Sequence, residues 1–243
     1  MDAANHHAHP IITKLRSTLT LSDDEKAAIL RLPMHVMGLK ADQDIVREGD
    51  RPTRSCALLE GFACTYKITD AGKRQIIAFH IPGDLPDLQS LHLRTLDNSV
   101  GTLTACRVGF IQHQDLRALC HAHPRIADAL WRETLIDGAI YREWVLNIGR
   151  RDAYAGIAHL LCEWMTRLRA VGLTQDLTCE LPMTQIELGD AVSLSTVHVN
   201  RTLKELRGAG LVTLRRGSLT VSNWDRLVEA GGFDPTYLHQ EGV

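Results

Sequence analysis

The sequence predicts an α+β chain: a β-roll (jelly roll), then one long helix, then a winged helix-turn-helix. Three observations carry that expectation. Short apolar runs broken by glycine fill residues 34–112, a helical apolar period runs over 124–148, and two short capped helices followed by an arginine-tipped hairpin occupy 181–221.

The β-roll is read from its punctuation. Apolar or alternating runs lie at Asp44–Val46, Cys56–Leu59, Phe62–Ile68, Gln75–His80, Val100–Leu103 and Arg107–Ile111. Gly49, Gly61, Gly72 and Gly83 separate them at intervals of 12, 11 and 11, the spacing of short antiparallel strands joined by turns. Asp70-Ala71-Gly72-Lys73 reads as the turn of a hairpin. Met1–Ile12 is the one stretch whose composition suggests disorder.

From Pro124 the period becomes helical, with Pro124 as a first-turn residue and Gly149 as the stop. Ile126, Leu130, Trp131, Leu135, Ile136, Ile140, Tyr141, Trp144, Val145 and Ile148 go nearly all the way round a helical wheel. A helix apolar on most sides needs two packing partners. The barrel supplies one, and the same helix of a second copy is expected to supply the other. Arg150-Arg151-Asp152 then reads as a hinge, with Asp152 capping a helix over Ala153–Ala170 whose stripe is Ile157, Leu160, Leu161, Trp164 and Leu168. Gly172–Cys179 reads as a loop. These breaks divide the chain into a sensor domain with a leading helical segment at 1–123, a dimerisation helix and hinge at 124–151, and a reader domain at 152–243.

The reader begins at a capping box, Thr184 with Glu187, ahead of a short helix Gln185–Val192 in which Ile186, Leu188 (or Gly189) and Val192 are expected to point inward. Ser193-Leu194 makes a tight turn and Ser195 caps the second helix. There Val199, Leu203 and Leu206 form the buried stripe. The opposite stripe is Thr196, Val197, Asn200, Arg201 and Lys204, side chains suited to base edges and phosphates. Thr184, Gln185, Ser195 and His198, at the starts of the two helices, complete the helical part of the candidate DNA-binding set. Next, Gly210–Val221 folds as a wing with Arg215 and Arg216 at its tip, where a phosphate backbone would pass. A second helix entering the major groove by its N-terminal end is the usual docking of such a unit.

Bulk charge points the other way. The net charge is −2 and the pI about 6.6, with no basic footprint. The second helix and wing, however, carry five Lys/Arg against Glu205 alone, so the local field suits DNA. No apolar run approaches the ~20 residues that span a bilayer, and no basic segment followed by an apolar one marks a secretory leader. A cytoplasmic location without membrane association is therefore expected. The six scattered cysteines form no CxxC and are expected to be reduced and mostly buried. No P-loop, HExxH or GxSxG occurs, so an enzyme is not expected.

These features together resemble the cyclic-AMP receptor protein / fumarate-nitrate reduction regulator (Crp/Fnr) family of bacterial transcription regulators over nearly the whole chain. The matching residues are Ile81-Pro82-Gly83-Asp84, Gly149-Arg150-Arg151-Asp152, Thr184 with Glu187-Leu188-Gly189, Ser195 through Leu203, and Phe233-Asp234-Pro235 with Tyr237-Leu238. The resemblance implies a cyclic-nucleotide-binding-like β-roll, a homodimer, a near-palindromic operator, modulation through the sensor and RNA polymerase as a partner. It places Arg201 on the arginine that reads guanine. The family's frequent glutamate would fall at Val197, so the half-site is expected to differ.

The effector is not readable. Nucleotide-binding relatives carry Gly-Glu and Arg-Ser/Thr pairs, whereas Leu96-Asp97 stands at the second and no Gly-Glu follows Gly83-Asp84. Arg94 is two positions off the pattern, so cyclic AMP is not expected. The first cysteine is Cys56, which removes the N-terminal iron–sulfur ligand cluster. Haem stays open through His80, His92 or the N-terminal His6, His7 and His9, and a haem- or redox-sensing regulator is the alternative. Cys120-His121-Ala122-His123 offers soft ligands in a short space, which equally suits an ordinary loop. Cys179, just ahead of the reader, is the candidate redox switch.

Overall fold

The structure, a computed structural model, describes residues 9–240. In chain order it contains α1 (Pro10–Arg16), α2 (Asp23–Leu30), β1 (His35–Leu39), β2 (Asp44–Val46), β3 (Arg54–Glu60), β4 (Ala63–Ile68), β5 (Arg74–His80), β6 (Ser99–Thr102) and β7 (Cys106–Gln112). Then come α3 (His113–Ala122), α4 (Pro124–Arg150), α5 (Ala153–Ala170), β8 (Thr174–Gln175), β9 (Thr178–Glu180), α6 (Gln185–Val192), α7 (Thr196–Gly208), β10 (Val212–Arg215), β11 (Ser218–Val221) and α8 (Trp224–Gly231). Short 3₁₀ turns lie at Leu88–Leu91 and Pro235–Leu238. The chain forms two compact units, Met1–Ala63 with His80–Thr134, and Cys64–Phe79 with Leu135–Val243.

In the first unit β1, β7 and β3 make an antiparallel sheet with Phe110 opposite both His35 and Cys56, and β2 pairs with β6. Alternation along β3 sorts its side chains between two cores. Cys56 and Leu58 face Val46, Val100 and Val108, whereas Ala57 and Leu59 join Leu15, Ile29, Leu116 and Ile126 from the helices. The four spaced glycines all sit at positive φ (89°, 83°, 75° and 101°), which is why they mark the turns. At Gly83 a side chain would also collide with the carbonyl of Pro10.

Two sequence expectations change here. Pro10, Ile11 and Ile12 are helical, and both isoleucines are buried because α1 packs on β3, so the disorder expected of Met1–Ile12 does not extend to these three residues. Residues 1–8 lie outside the described residues. Gly149 does not stop α4, which continues to Arg150; the break comes where Asp152 accepts the Ala155 N–H at 2.8 Å and starts α5.

The second unit is built around α5. Its residues 156–168 are all buried, against α6, α7, α8 and the strands. Burial on every side leaves polar residues inside, and most of them are satisfied locally, Thr166 Oγ1 excepted. The Glu163 carboxylate accepts from Trp144 Nε1 at 3.0 Å and Tyr237 OH at 2.8 Å, with Arg167 Nη1 at 3.5 Å. His159 Nδ1 lies 3.2 Å from the Gly231 carbonyl, which can only accept. The Tyr237 hydroxyl thus faces two acceptors, Glu163 and His159 Nε2 at 3.0 Å.

Gly172–Cys179 is not a plain loop. It holds the β8–β9 hairpin, which extends the wing sheet in the order β10-β11-β9-β8, with Leu219 opposite Cys179. Such short strands exist because β11 offers them a paired edge, which no local pattern announces.

Candidate nucleic-acid interface

The reader's helices begin and end on local chemistry. Thr184 Oγ1 accepts the Glu187 N–H at 3.2 Å while the Glu187 carboxylate accepts the Thr184 N–H at 2.7 Å, the reciprocal capping box. Ser193 takes the left-handed conformation (φ 56°) and closes α6. At Gly189 a Cβ would stand 2.5 Å from the Leu194 carbonyl oxygen, so only glycine lets the turn fold this tightly over α6. Ser195 Oγ then accepts the His198 N–H at 3.4 Å and starts α7.

α7 is amphipathic with a sharp division. Val199, Thr202, Leu203 and Leu206 are buried. Thr196, Val197, His198, Arg201 and Lys204 are exposed, Asn200 is half-buried, and Val197 reaches 78% exposure. Arg201 is held only loosely, 3.8 Å from Glu205 one turn on. The Asn200 amide donates to Gln185 Oε1 at 3.1 Å, tying the start of α6 to the outer face of α7. Arg216 (φ 49°) and Gly217 (φ 77°) form a two-residue turn at the wing tip, leaving Arg215 and Arg216 exposed. Among the described residues no carboxylate pairs with Lys204, Arg215 or Arg216. Thr184, Gln185, Ser195, Thr196, His198, Asn200, Arg201, Lys204, Arg215 and Arg216 thus all lie on α6–α7 or the wing.

The structure alters the inner face of α6. Ile186 is 60% exposed, and Leu188, Gly189, Ala191 and Val192 face inward with Glu187. The capping box buries Glu187 at the third position of the helix, and that rotation turns Ile186 outward. Sequence reasoning also missed the hairpin residues that hold the turn. Arg74 Nε meets Asp190 Oδ2 at 2.7 Å, Gln75 Nε2 donates to the Ala191 carbonyl at 3.2 Å, and Ser193 Oγ donates to Gln75 Oε1 at 2.9 Å. These partners stand 116 to 118 residues apart, with no sequence signal linking them.

The sensor candidates fare unevenly. Leu96 is 1% exposed among Val46, Cys56, Leu58 and Val100, so the first position of the phosphate-binding pair is apolar core, while Asp97 at the second is an exposed acid. Nearby Asp87 is a buried carboxyl whose Oδ1 accepts the Cys56 N–H at 2.7 Å, and burial pushes its pKa up to about 6. The residues present therefore do not fit a cyclic phosphate. His80 is buried with Nδ1 3.6 Å from Asp84, His92 is exposed, and His6 and His7 lie outside the described residues. His123 pairs with Asp24 at 3.5 Å, and among the described residues no group of three or more His, Cys, Asp or Glu is arranged to hold a metal. The Cys179 thiol is buried and pushed up to about 12 by burial and by Glu180, the opposite of a reactive thiolate.

Fold and site together define a transcription regulator with a winged helix-turn-helix reader and a β-roll. Comparison with known proteins agrees over both parts. Residues 157–230 match the Crp-like helix-turn-helix domain and residues 37–123 the cyclic nucleotide-binding domain, together about two thirds of the chain. The chain is 25% identical over 223 residues to the transcriptional activator protein FnrL of Cereibacter sphaeroides, covering 90% of this chain and 89% of that one. It is 30% identical over 166 residues to the transcriptional activatory protein AadR of Rhodopseudomonas palustris, 65% of each chain. The fold matches that of FixK2 from Bradyrhizobium japonicum with a TM-score of 0.74 at 24% identity, over 82% of this chain and 98% of that one. The chain belongs to the Crp/Fnr family of transcription regulators. No helix among the described residues is long and apolar enough to cross a membrane.

Proposed function

We propose that the chain binds a near-palindromic DNA operator as a homodimer in the cytoplasm, that its sensor modulates this binding, and that it acts on RNA polymerase rather than as an enzyme. The three-part division at 1–123, 124–151 and 152–243 belongs to this reading. The observation that carries it is the outer face of α7, where Arg201 stands exposed one turn beyond Val197 with no buried role in the fold. A guanidinium there can take both acceptors of a guanine, worth roughly 1–3 kcal/mol of discrimination. Arg215 and Arg216 on the wing serve phosphates, which carry little sequence information.

Two mutants separate these roles. Arg201→Ala should weaken a cognate duplex far more than a scrambled one and relax one position of each half-site. Arg215→Ala should weaken both alike and flatten the salt dependence by about one unit of slope per lost contact. Mobility shifts at two salt concentrations decide it, and equal losses on both duplexes for both mutants would remove α7 as the base-reading helix.

For the homodimer, the support is one face of α4. Trp131, Leu135 and Val145 are 65%, 55% and 72% exposed, while Ile126, Ile136, Ile140 and Trp144 are buried. Exposed positions spaced by four and ten residues form a seam that a second α4 can cover, each large side chain contributing about 1.5–3 kcal/mol on burial. Sedimentation should give twice the 27.0 kDa chain mass. Val145→Glu should return it to the single mass; a wild-type monomer that still binds its operator defeats the dimer.

A further inference from the structure

The first unit contains a cationic pocket that the DNA-reading function does not use. It is a cleft of about 290 Å³ between the turn after β2, the segment after the Leu88–Leu91 3₁₀ turn, and the start of α3. Arg51, His92, Arg94 and Arg117 line it, and no carboxylate does. Its inner wall is built: Ser90 and His113 are 5% and 7% exposed, with Ser90 Oγ 3.0 Å from His113 Nε2 and 3.3 Å from Ser55 Oγ. Arg117 donates to the Leu91 carbonyl, which fixes its stem one helical turn beyond His113. Among the described residues no carboxylate pairs with Arg51, His92 or Arg94. The pocket's own chemistry reports its field, since the His113 pKa is lowered by burial and then by the charges of Arg117 and His92, against a hydrogen bond to the Arg54 carbonyl.

We propose that this pocket binds the phosphate group of a small phosphomonoester. Three arginines from three separate segments line the cleft, so their guanidinium groups can address several oxygens of a tetrahedral dianion from different directions. A planar carboxylate is satisfied by one fork. Leu91, Leu93 and Pro52 supply an apolar wall for carbon atoms. At about 290 Å³ the cleft sits at the lower end of ligand pockets, which suits a compact metabolite and not a nucleotide. The proposal is independent of the DNA-reading assignment, because its readout is direct binding without DNA.

Calorimetric titration of the full chain with glycerol 3-phosphate, inorganic phosphate and succinate tests it. Glycerol 3-phosphate should bind at least tenfold tighter than either of the others. Arg94→Ala should weaken it at least tenfold and Arg94→Lys by less, whereas Arg31→Ala, at an exposed arginine ending α2, should leave it unchanged. Arg94 is exposed, so its loss should not unfold the chain, and an unchanged thermal midpoint checks this. No measurable heat, succinate or inorganic phosphate binding as tightly as the ester, or Arg31→Ala acting as strongly as Arg94→Ala would each overturn the site.

Discussion

Helices α5 and α7 belong to the same compact unit and carry polar residues to opposite ends. α5 places His159, Glu163, Thr166 and Arg167 inside the protein; α7 keeps its cations and amide on the surface. The first arrangement satisfies nearly every polar atom internally, although Thr166 Oγ1 is left without a partner. The second satisfies few of them, and Arg201 has one long contact. Polar groups paired inside a fold serve the fold, whereas those left exposed together on one helical face are available to a partner. This difference, more than total charge, separates scaffold from reader here.

The comparison breaks most visibly at Glu163. Glu163→Ala would leave Trp144 Nε1–H without this acceptor, the Tyr237 hydroxyl with His159 Nε2 alone of its two, and buried Arg167 without the carboxylate 3.5 Å away. Removing one partner of a buried ionic group costs roughly 3–5 kcal/mol. Urea denaturation should register that loss at neutral pH, and a change below about 1 kcal/mol would show that the network is dispensable.

A smaller effect follows from His159, whose pKa is pushed down to about 4 by burial first and Arg151 second, against Glu143 and the Gly231 carbonyl. Tyr237 faces the same ring, and Glu143 stands 3.7 Å from its Nε2. Between pH 6.5 and 4 the unfolded chain binds a proton that the folded chain refuses, so stability is present above that window and is lost as pH falls through it. The loss from pH 7 to 5 is roughly 2 kcal/mol. Asp87 in the other unit works in the opposite sense, since its raised pKa lets the folded state keep a proton between 3.8 and about 6. Comparing wild type with His159→Gln at the two pH values isolates the histidine, and the mutant should lack that 2 kcal/mol of the pH dependence. Identical pH slopes would remove His159 from the account.

Smallest of all should be the stability change at the reader surface. Arg201→Ala and Lys204→Ala are expected to change the unfolding free energy from urea denaturation by less than about 0.5 kcal/mol each, although the first is expected to remove base reading. A loss of 2 kcal/mol would make these residues structural and erase the contrast with α5.

Much of the reader was legible in the sequence because its signals are local. The Thr184–Glu187 capping box, the Ser195 cap and the wing turn at Arg216-Gly217 each close within three or four residues. Ile186 was misplaced because its spacing from Leu188 allows either face, and only the burial of Glu187 settles the rotation. The apolar girdle of α4 goes nearly all the way round in the sequence; in the structure Ile126, Ile136, Ile140 and Trp144 are buried while Trp131, Leu135 and Val145 are exposed.

By itself the sequence determined the turns, the caps and the apolar periods, all of which arise from neighbours within one or two helical turns. Only the tertiary structure decided the docking of the β8–β9 hairpin on β11, the Arg74–Asp190 pair and the Glu163–Tyr237 contact, in which Ser218 and Cys179, Arg74 and Asp190, and Glu163 and Tyr237 stand 39, 116 and 74 residues apart. Local preferences are encoded residue by residue, while such distant pairs form where the packing of α5 and the wing sheet brings separate segments together. The open arginines beside Ser90 and His113 belong to that second class, since three stretches of chain had to converge before they shared one pocket.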